Sequence, residues 1–333
     1  MKVTLKDIAE ETGYSISTVS RVLNGSDKIS TQTRREIYQA AKRLKYPIYH
    51  TINGDKIVDS LKICHVLTKF SEGEFYSSMF KGMSRAAEKN DAQLSLMNLD
   101  KPFDDVLRIL KEISSEKYEG IVLFAPEFKK KHYQILRDEL PENFPIISNA
   151  LIENPVVTSV TFDGYSGGFL AGEHFNNQGY KQCGILKGPF EEPESRYRFN
   201  GFRDYLYQNT KMEFCWEYQG DYSFESGQKA FETFHKTENT PEAIFACNDD
   251  MAHGFLKEAL ANGYKIPDDF GLIGYDDLPI CRRHSPTISS IHTDYESLGM
   301  VTMEKMKEIL ANPNQQEGVL SLIPVSVNHR ESS

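Results

Sequence analysis

Residues 3–25 read VTLKDIAEETGYSISTVSRVLNG, and this stretch decides the fold of the N-terminal end of the chain. Thr4, followed by Asp7 at the third helical position, is typical of a helix start, and we expect that helix to run to Thr12. Gly13 then ends it, because a short turn between helices favours a residue that adopts positive φ freely. The pattern predicts a helix, a tight turn and a second helix.

Two further helices complete the predicted unit. The second begins at Ser15 or Ile16 and ends at Leu23, and the third is capped by Ser30 and covers about residues 31–45. Each helix has one apolar face, and the three faces contain Leu5, Ile8 and Ala9; Val19, Val22 and Leu23; and Ile37, Ala40, Ala41 and Leu44. Three helices with a glycine turn between the first two are typical of a helix-turn-helix DNA-binding unit.

The early residues of the second helix are expected to contact base edges in such a unit. Arg21 can donate two hydrogen bonds to a guanine, Ser17 can bond several bases, and Ile16 can contact a thymine methyl group. Short polar side chains near helix starts suit phosphate contacts, and here they are Thr4, Thr18, Ser20, Asn24, Ser30 and Thr33. The alternative is a plain three-helix bundle whose polar residues merely face water.

The charge distribution favours the DNA-binding interpretation. The 333-residue chain has a net charge of −10, which by itself argues against nucleic acid. Residues 1–47, however, hold nine Lys and Arg against five Asp and Glu, so this segment is +4 and the remainder is −14. A small basic end on an acidic body is expected when one module meets phosphate and the rest has another task.

Composition and length restrict the remaining classes. A chain of 333 residues is expected to form two or three folding units. The sequence has no apolar run of about 18 residues, and its charged start leaves no room for a signal peptide, so we expect a cytoplasmic protein. The cysteines lack metal-ligand spacing, which predicts reduced thiols and neither metal nor cofactor; they are Cys64, Cys183, Cys215, Cys247 and Cys281.

From Leu61 onward, short apolar runs alternate with amphipathic stretches. The predicted strands are 63–67, 94–98, 120–124, 146–148, 183–186, 243–246 and 270–275. Helices are expected between them, including one through Met79 and Met83 and one over residues 106–113. This alternation predicts doubly wound α/β lobes with parallel sheets.

Polar residues follow several of these strands, at the sheet edge where such folds bind ligands. Asn248 and Asp249 follow one strand, Asp276 follows another, and Arg198 lies beyond a third. A carboxylate, an amide and a guanidinium can bind a polyhydroxyl ligand while an aromatic ring covers its C–H surface. Candidate rings are Phe75, Tyr76 and Tyr222. Taken singly, each charged residue is more simply explained as a helix cap or a surface ion pair.

The opening stretch closely resembles the headpiece of the LacI/GalR family of bacterial transcriptional regulators, in which VT-x-x-D-[VI]-A leads to TVSR-V-[LV]-N. Further resemblances to this family are EAIFACNDDMAHG at 242–254, GYDD at 274–277, the R-x-x-GF pattern at 198–202 and SVTFD at 159–163. The resemblance covers nearly the whole chain. It implies a body like the periplasmic binding proteins, with a ligand held between two lobes.

The resemblance also implies roles for single residues. Ile16, Ser17 and Arg21 would read bases. Arg198, Asn248 and Asp276 would bind the effector, with Asp249 in the same strand-end motif. Tyr76 and Tyr222 would stack on the effector.

The domain bounds expected from motifs and resemblance together are a headpiece over 1–47, a hinge or linker over 48–60 and an effector-binding, dimerising body over 61–333. The first lobe would take about 61–162 and 292–324, and the second about 163–291 with the C-terminal tail.

Three departures from the family pattern affect the prediction. The usual hinge motif Y-x-P-N-x-x-A-x-x-L is not kept over 46–55, where Asp55 stands at the position of the leucine. Either Ile52 serves as the minor-groove wedge in a shifted register, or the segment is a plain linker. Glu192 occupies the place where purine-responsive members carry an arginine, which disfavours a purine. No heptad tail follows Arg330, so we expect a homodimer.

The function predicted is a DNA-binding transcription regulator whose operator affinity a small, sugar-like ligand controls. One alternative is a solute-binding receptor with the same body, but that class needs an export signal and lacks a basic headpiece. Another is an enzyme using Asp249, Asp276 and His253 in the cleft. The glycine-rich 164–168 lacks the Lys-Ser/Thr of a phosphate loop, and no nucleophile elbow is present, so we expect no enzyme activity.

Overall fold

The N-terminal unit consists of three short helices around a small apolar core. They are α1 (Leu5–Thr12), α2 (Ile16–Leu23) and α3 (Thr31–Arg43). The computed structural model describes residues 3–23, 29–44, 46, 49–52, 55–58, 61–68, 75–312 and 317–333. The buried core is Ile8, Ala9, Val19, Val22, Leu23, Ile37, Ala40 and Ala41, with Leu5 and Leu44 packed against it. The predicted apolar faces are therefore confirmed.

The helix ends follow the predicted local chemistry. The Asp7 carboxylate accepts hydrogen bonds from the Thr4 backbone N–H at 2.6 Å and from the Thr4 hydroxyl at 2.7 Å. Gly13 ends α1 with φ +73°, and its N–H donates to the carbonyl of Ala9. Ser30 precedes α3, and its Oγ accepts from the backbone N–H of Thr33 at 3.2 Å.

The join after the headpiece has strand geometry. β1 (Tyr49–Ile52) and β2 (Asp55–Val58) pair antiparallel, with Tyr49 opposite Val58 and Ile52 opposite Asp55. The two alternatives for this segment, a minor-groove wedge at Ile52 and a plain linker, stay predictions.

One six-stranded sheet, with its helices, forms the first lobe. Its strands are β3 (Leu61–Leu67), β4 (Ala92–Asn98), β5 (Gly120–Phe124), β6 (Ile146–Ser148), β7 (Thr158–Phe162) and β13 (Leu320–Ile323). The order is β13-β7-β6-β5-β3-β4, and every pairing is parallel. Its helices are α4 (Phe75–Lys89), α5 (Phe103–Glu116), α6 (Lys130–Glu139) and α11 (Tyr295–Ala311). Two apolar clusters, one holding Met79 and Met303 and the other Val106 and Leu136, cover this sheet.

A second six-stranded sheet forms the second lobe. Its strands are β8 (Gln182–Lys187), β9 (Glu213–Gln219), β10 (Ala243–Ala246), β11 (Gly271–Asp276), β12 (Ser289–His292) and β14 (Ser326–Asn328). The order is β14-β12-β11-β10-β8-β9, parallel except that β14 runs antiparallel to β12. Its helices are α7 (Gly164–Gln178), α8 (Pro193–Asn209), α9 (Phe224–Phe234), α10 (Asp249–Ala261) and a short 3₁₀ helix (Pro279–Arg282).

The chain passes between the lobes three times: from β7 to α7, from β12 to α11, and from β13 to β14. The predicted fold class, a helical headpiece with a two-lobed α/β body, is confirmed. The carboxyl ends of β8, β10 and β11 meet at one edge of the second sheet, which places the residues that follow them together.

The glycine-rich stretch 164–168 serves close helix packing. A side chain on Gly168 would collide with the backbone carbonyl of Arg198 on α8, and one on Gly201 would collide with the carbonyl of Tyr165 on α7. The two helices therefore touch backbone to backbone, which fixes where α8 presents Arg198.

Candidate functional site

The outward face of α2 carries the three predicted base-reading residues. Ile16 is 50% exposed although it is a large apolar residue, and Ser17 and Arg21 are exposed too. Val19 and Val22 are fully buried on the opposite side of the same helix. The headpiece thus presents an apolar, a hydroxyl and a guanidinium group together, which is a set suited to base edges.

The predicted phosphate contacts lie near helix starts. The Ser15 hydroxyl is 2.8 Å from that of Thr18 at the start of α2, and Ser30 is 2.8 Å from Thr33 at the start of α3. Thr4 and Ser30 are exposed, while Thr18, Ser20 and Thr33 are half-buried. Asn24 lies outside the described residues.

A buried arginine stands at the centre of the cleft between the lobes. The Arg198 guanidinium lies 3.8 Å from the Asp276 carboxylate, and both side chains are only 11% exposed. It also donates to the carbonyl of Cys247 and lies 3.7 Å above the ring of Tyr275. Burial raises the pKa of Asp276, and Arg198 and a hydrogen bond from Tyr295 counteract that rise. The predicted pair of Arg198 and Asp276 is thus brought together.

Tyr222 lies beside this pair in a backbone conformation that tyrosine rarely adopts. Its φ is +70°, and the Asn248 side chain donates to its carbonyl at 2.9 Å. The Asn248 Oδ1 also accepts from the N–H of Met251 at 3.1 Å, which caps α10. Asn248 therefore holds Tyr222 in place, and the Tyr222 ring packs against Gly188, where no larger residue would fit.

Asp249 lies behind the cleft. Its carboxylate accepts from Ser290 Oγ and from the N–H of Leu278, both at 2.7 Å, and it presses against Gly274. Burial, followed by repulsion from Asp276, raises its pKa well above the usual range. Because protein donors bind both of its oxygens, the structure gives Asp249 the role of supporting the strand ends.

Asp277 anchors the turn that carries Asp276. Its fully buried carboxylate accepts from Arg282 and His292 at 3.0 Å and from Asn328 at 2.6 Å, and also from Arg330. Asp276 and Asp277 have φ of +110° and +53°, so the backbone is held in the left-handed region at the cleft.

The first lobe contributes aromatic rings. Phe75 stacks on Tyr295 with 4.9 Å between ring centroids and lies 4.0 Å from the ring of Tyr76. Phe124 and Phe162 meet the edges of this cluster. The Tyr295 hydroxyl donates to Asp276 Oδ1 at 2.9 Å, so the aromatic cluster touches the polar centre of the second lobe.

Sequence reasoning missed three residues of the cleft: Glu194, Tyr275 and Tyr295. Four polar atoms at this site are buried without a hydrogen-bond partner among the residues that the structure describes, namely Glu194 Oε2, Arg198 Nε, Tyr222 Oη and Tyr275 Oη. Buried polar groups are nearly always hydrogen-bonded, so such a group of unpaired atoms marks a place where a ligand or water binds. Tyr275 lies within the GYDD motif at 274–277, but no local pattern distinguished Tyr295 or Glu194.

Other classes of site find no support in the part of the chain that the structure describes. No helix there combines the length and apolar character needed to cross a bilayer. No cluster of three or more His, Cys, Asp or Glu in those same residues has the arrangement of a metal site. All five cysteines are free thiols, and four of them are buried.

Family models match most of this architecture. Residues 4–47 match the model of bacterial regulatory proteins of the lacI family, and residues 173–333 match a periplasmic binding protein-like domain. Residues 66–175 match the model of the PnrA-like ABC transporter substrate-binding protein.

Similar curated proteins are transcriptional repressors. The chain is 26% identical over 326 residues to the HTH-type transcriptional repressor PurR of Mannheimia succiniciproducens, covering 96% of each protein. It is 25% identical to PurR of Photorhabdus laumondii, covering 98% of this chain and 96% of that protein.

Solved structures share the fold. A Lac repressor bound to ONPG matches with a TM-score of 0.74 at 24% identity over the full length of both chains. The complex of the regulator CelR with cellobiose matches with a TM-score of 0.72 at 23% identity, covering 99% of this chain and 100% of that one.

A helix-turn-helix headpiece joined to a two-lobed body with a cleft defines a transcription regulator with an N-terminal DNA-binding domain. The chain belongs to the LacI/GalR family of bacterial transcriptional regulators. Its relatives are repressors, and the prediction that it is not an enzyme is confirmed.

Proposed function

We propose that this protein is a cytoplasmic, homodimeric repressor whose affinity for operator DNA is controlled by a sugar or sugar derivative bound between its lobes. The observation that carries the proposal is the set of four unpaired polar atoms around Arg198 and Asp276. A hydroxylated ligand would supply both donors and acceptors to them. The Phe75 and Tyr76 rings would cover its apolar face.

Two observations favour a sugar over a purine. Purine-responsive family members are expected to have an arginine where this chain has Glu192, and an acid there reverses the charge offered to the ligand. A structural relative, CelR, is described in complex with cellobiose. The PurR relatives are only 24–26% identical, which leaves room for a different ligand.

Control of DNA binding follows from the two-lobed architecture. The ligand contacts both lobes and therefore prefers one angle between them. In a dimer, that angle sets the spacing of the two headpieces, and DNA prefers one spacing. Ligand and operator are thereby coupled through a shared two-state equilibrium. Ile16, Ser17 and Arg21 read bases, and Thr4, Thr18, Ser20, Asn24, Ser30 and Thr33 contact phosphates.

The proposal is tested first on DNA. Selection from randomised duplexes identifies the operator, and fluorescence anisotropy then measures its affinity with and without each sugar that raises the melting temperature. Arg21→Ala is expected to lower affinity for the operator by at least about tenfold and to relax its sequence preference, because a bidentate base contact is worth about 1–3 kcal/mol.

Arg43→Ala is the matched control, because Arg43 lies on α3, has a 61% exposed side chain and pairs with Glu11. It should change affinity for all sequences by a similar, small factor. Equal operator affinity of wild type and Arg21→Ala would remove the basis of the base-reading assignment. A ligand that binds but leaves operator affinity unchanged would contradict the regulatory proposal.

A further inference from the structure

Glu194 is a cleft residue with two separately placed carboxylate oxygens. It lies in the first turn of α8, in the second lobe. Its Oε1 accepts from the backbone N–H of Leu151, which follows β6 of the first lobe. Its Oε2 is buried and has no partner. One side chain therefore joins the two lobes and also offers an unused acceptor.

The charges around Glu194 constrain what can bind there. Arg198 and Arg196 are the basic groups that interact with it. Arg198 is already engaged by Asp276 at 3.8 Å, and Arg196 is engaged by Glu153 at 2.9 Å. Both basic groups thus have carboxylate partners of their own, so among the described residues neither cation near Glu194 is left without a carboxylate.

An unpaired, buried carboxylate oxygen calls for a hydrogen-bond donor. Burial raises the pKa of Glu194, while the Leu151 N–H, the backbone N–H of Glu194 itself and the two arginines counteract the rise. A hydroxyl or an amine would satisfy Oε2, whereas a phosphate would bring negative charge against it in a site shielded from water.

We propose that Glu194 selects uncharged or amine-bearing sugars over phosphorylated ones, and that it couples ligand occupancy to closure of the lobes. Oε2 accepts a hydrogen bond from the ligand, and Oε1 accepts from Leu151 across the cleft. This inference rests on the proposed function and narrows its ligand class.

Calorimetry on the full-length protein tests the selection. The probes are glucose, galactose, mannose and ribose, the amino sugars glucosamine, galactosamine and mannosamine, and the phosphate monoesters of the four parent sugars. We expect wild type to bind a neutral or amino sugar at least about tenfold more tightly than the phosphate of the same sugar.

Glu194→Gln keeps the shape and removes the charge. It should weaken binding of the neutral or amino sugar by about tenfold, because a charge-assisted hydrogen bond becomes a neutral one, and discrimination against the phosphate should shrink. Glu191→Gln is the matched control, since Glu191 is an exposed residue in the turn just before α8. A wild type that prefers the phosphate, or a Glu194→Gln variant that discriminates as well as wild type, would overturn the selection.

Operator binding tests the coupling. The ratio of operator affinities measured with saturating sugar and without sugar should be smaller for Glu194→Gln than for wild type. An undiminished response would overturn the coupling. If no probe binds wild type at all, the proposed sugar-controlled function fails and this inference fails with it. A phosphorylated sugar that binds best and shifts operator affinity would spare the function and reject only the role of Glu194.

Discussion

The two sides of the cleft differ in chemistry. The second lobe supplies charge and polar groups, with Arg198 and Asp276 at 11% exposure at its centre. The first lobe supplies rings, of which Phe75 and Tyr295 stack at 4.9 Å. Polar contacts depend on exact geometry, whereas ring contacts tolerate displacement. The difference suggests that the second lobe fixes what binds and the first lobe responds by closing over it.

Removing the charge of Arg198 should have the largest effect on ligand binding. Arg198→Met is expected to weaken binding of the sugar that the melting-temperature screen selects by about 100-fold, because truncating a buried, hydrogen-bonded charge costs about 2–5 kcal/mol. Arg203→Met is the control on the same helix, since Arg203 is 53% exposed and pairs with its neighbour Asp204. Calorimetry gives both affinities.

Arg198→Met leaves the Asp276 carboxylate buried without its cation, so the melting temperature should be measured alongside. The double variant Arg198→Met/Asp276→Asn removes that charge and should recover stability without recovering binding. Recovered binding in the double variant, or an intact affinity in the single one, would contradict the central role of Arg198.

Loosening the packing of α7 against α8 in the second lobe should have the next largest effect. Gly168→Ala places a methyl group against the backbone of α8, so α7 and α8 must separate. We expect the free energy of unfolding to fall by about 1–3 kcal/mol, the usual cost of overpacking. Thermal and urea unfolding measure it. Asn177→Ala, at an exposed position on α7, is the control, and equal losses in the two variants would refute the close-packing argument.

Loosening the contact between the lobes should have the smallest effect. Tyr295→Phe keeps the ring stack and removes the hydroxyl that donates to Asp276 at 2.9 Å. Losing one hydrogen bond of this kind costs about 1 kcal/mol, so sugar affinity should fall roughly fivefold. Tyr207→Phe, at a position 90% exposed, is the control and should leave titrations unchanged. A loss of sugar affinity as large as that of Arg198→Met would contradict the proposal that the second lobe, more than the first, fixes what binds.

The headpiece could be predicted almost completely because its signals are local. Thr4 with Asp7, the glycine at 13 and the spacing of the apolar residues each act within one or two helical turns. The same holds for strands of uniform apolar character such as Gly120–Phe124, which forms with the predicted bounds.

Strands with polar residues were harder to predict. All five residues of Thr158–Phe162 are buried, although the sequence TSVTF looks half polar. Its hydroxyls find partners inside the protein, as when Ser159 Oγ donates to the carbonyl of Ala150 at 2.8 Å. No pattern along one strand reveals such a partner.

The missed part of the site depends on contacts far apart in the chain. Glu194 meets Leu151 across 43 residues, and Tyr295 meets Asp276 only because the chain returns to the first lobe after β12. The pairing of β1 with β2 after the headpiece was not predicted either, because it depends on contacts between two separate strands. Only three-dimensional packing determines these features.

The three passages between the lobes also set the order in which the parts of the protein are completed during synthesis on the ribosome. The headpiece and then the first five strands of the first lobe emerge early, but that lobe needs α11 over Tyr295–Ala311 and β13 over Leu320–Ile323 to cover and edge its sheet. Most of the second lobe is synthesised in between. The lobe that starts first is thus completed only after most of the second lobe has been made, so the nascent chain carries the DNA-binding headpiece before either lobe of the ligand-binding body is complete.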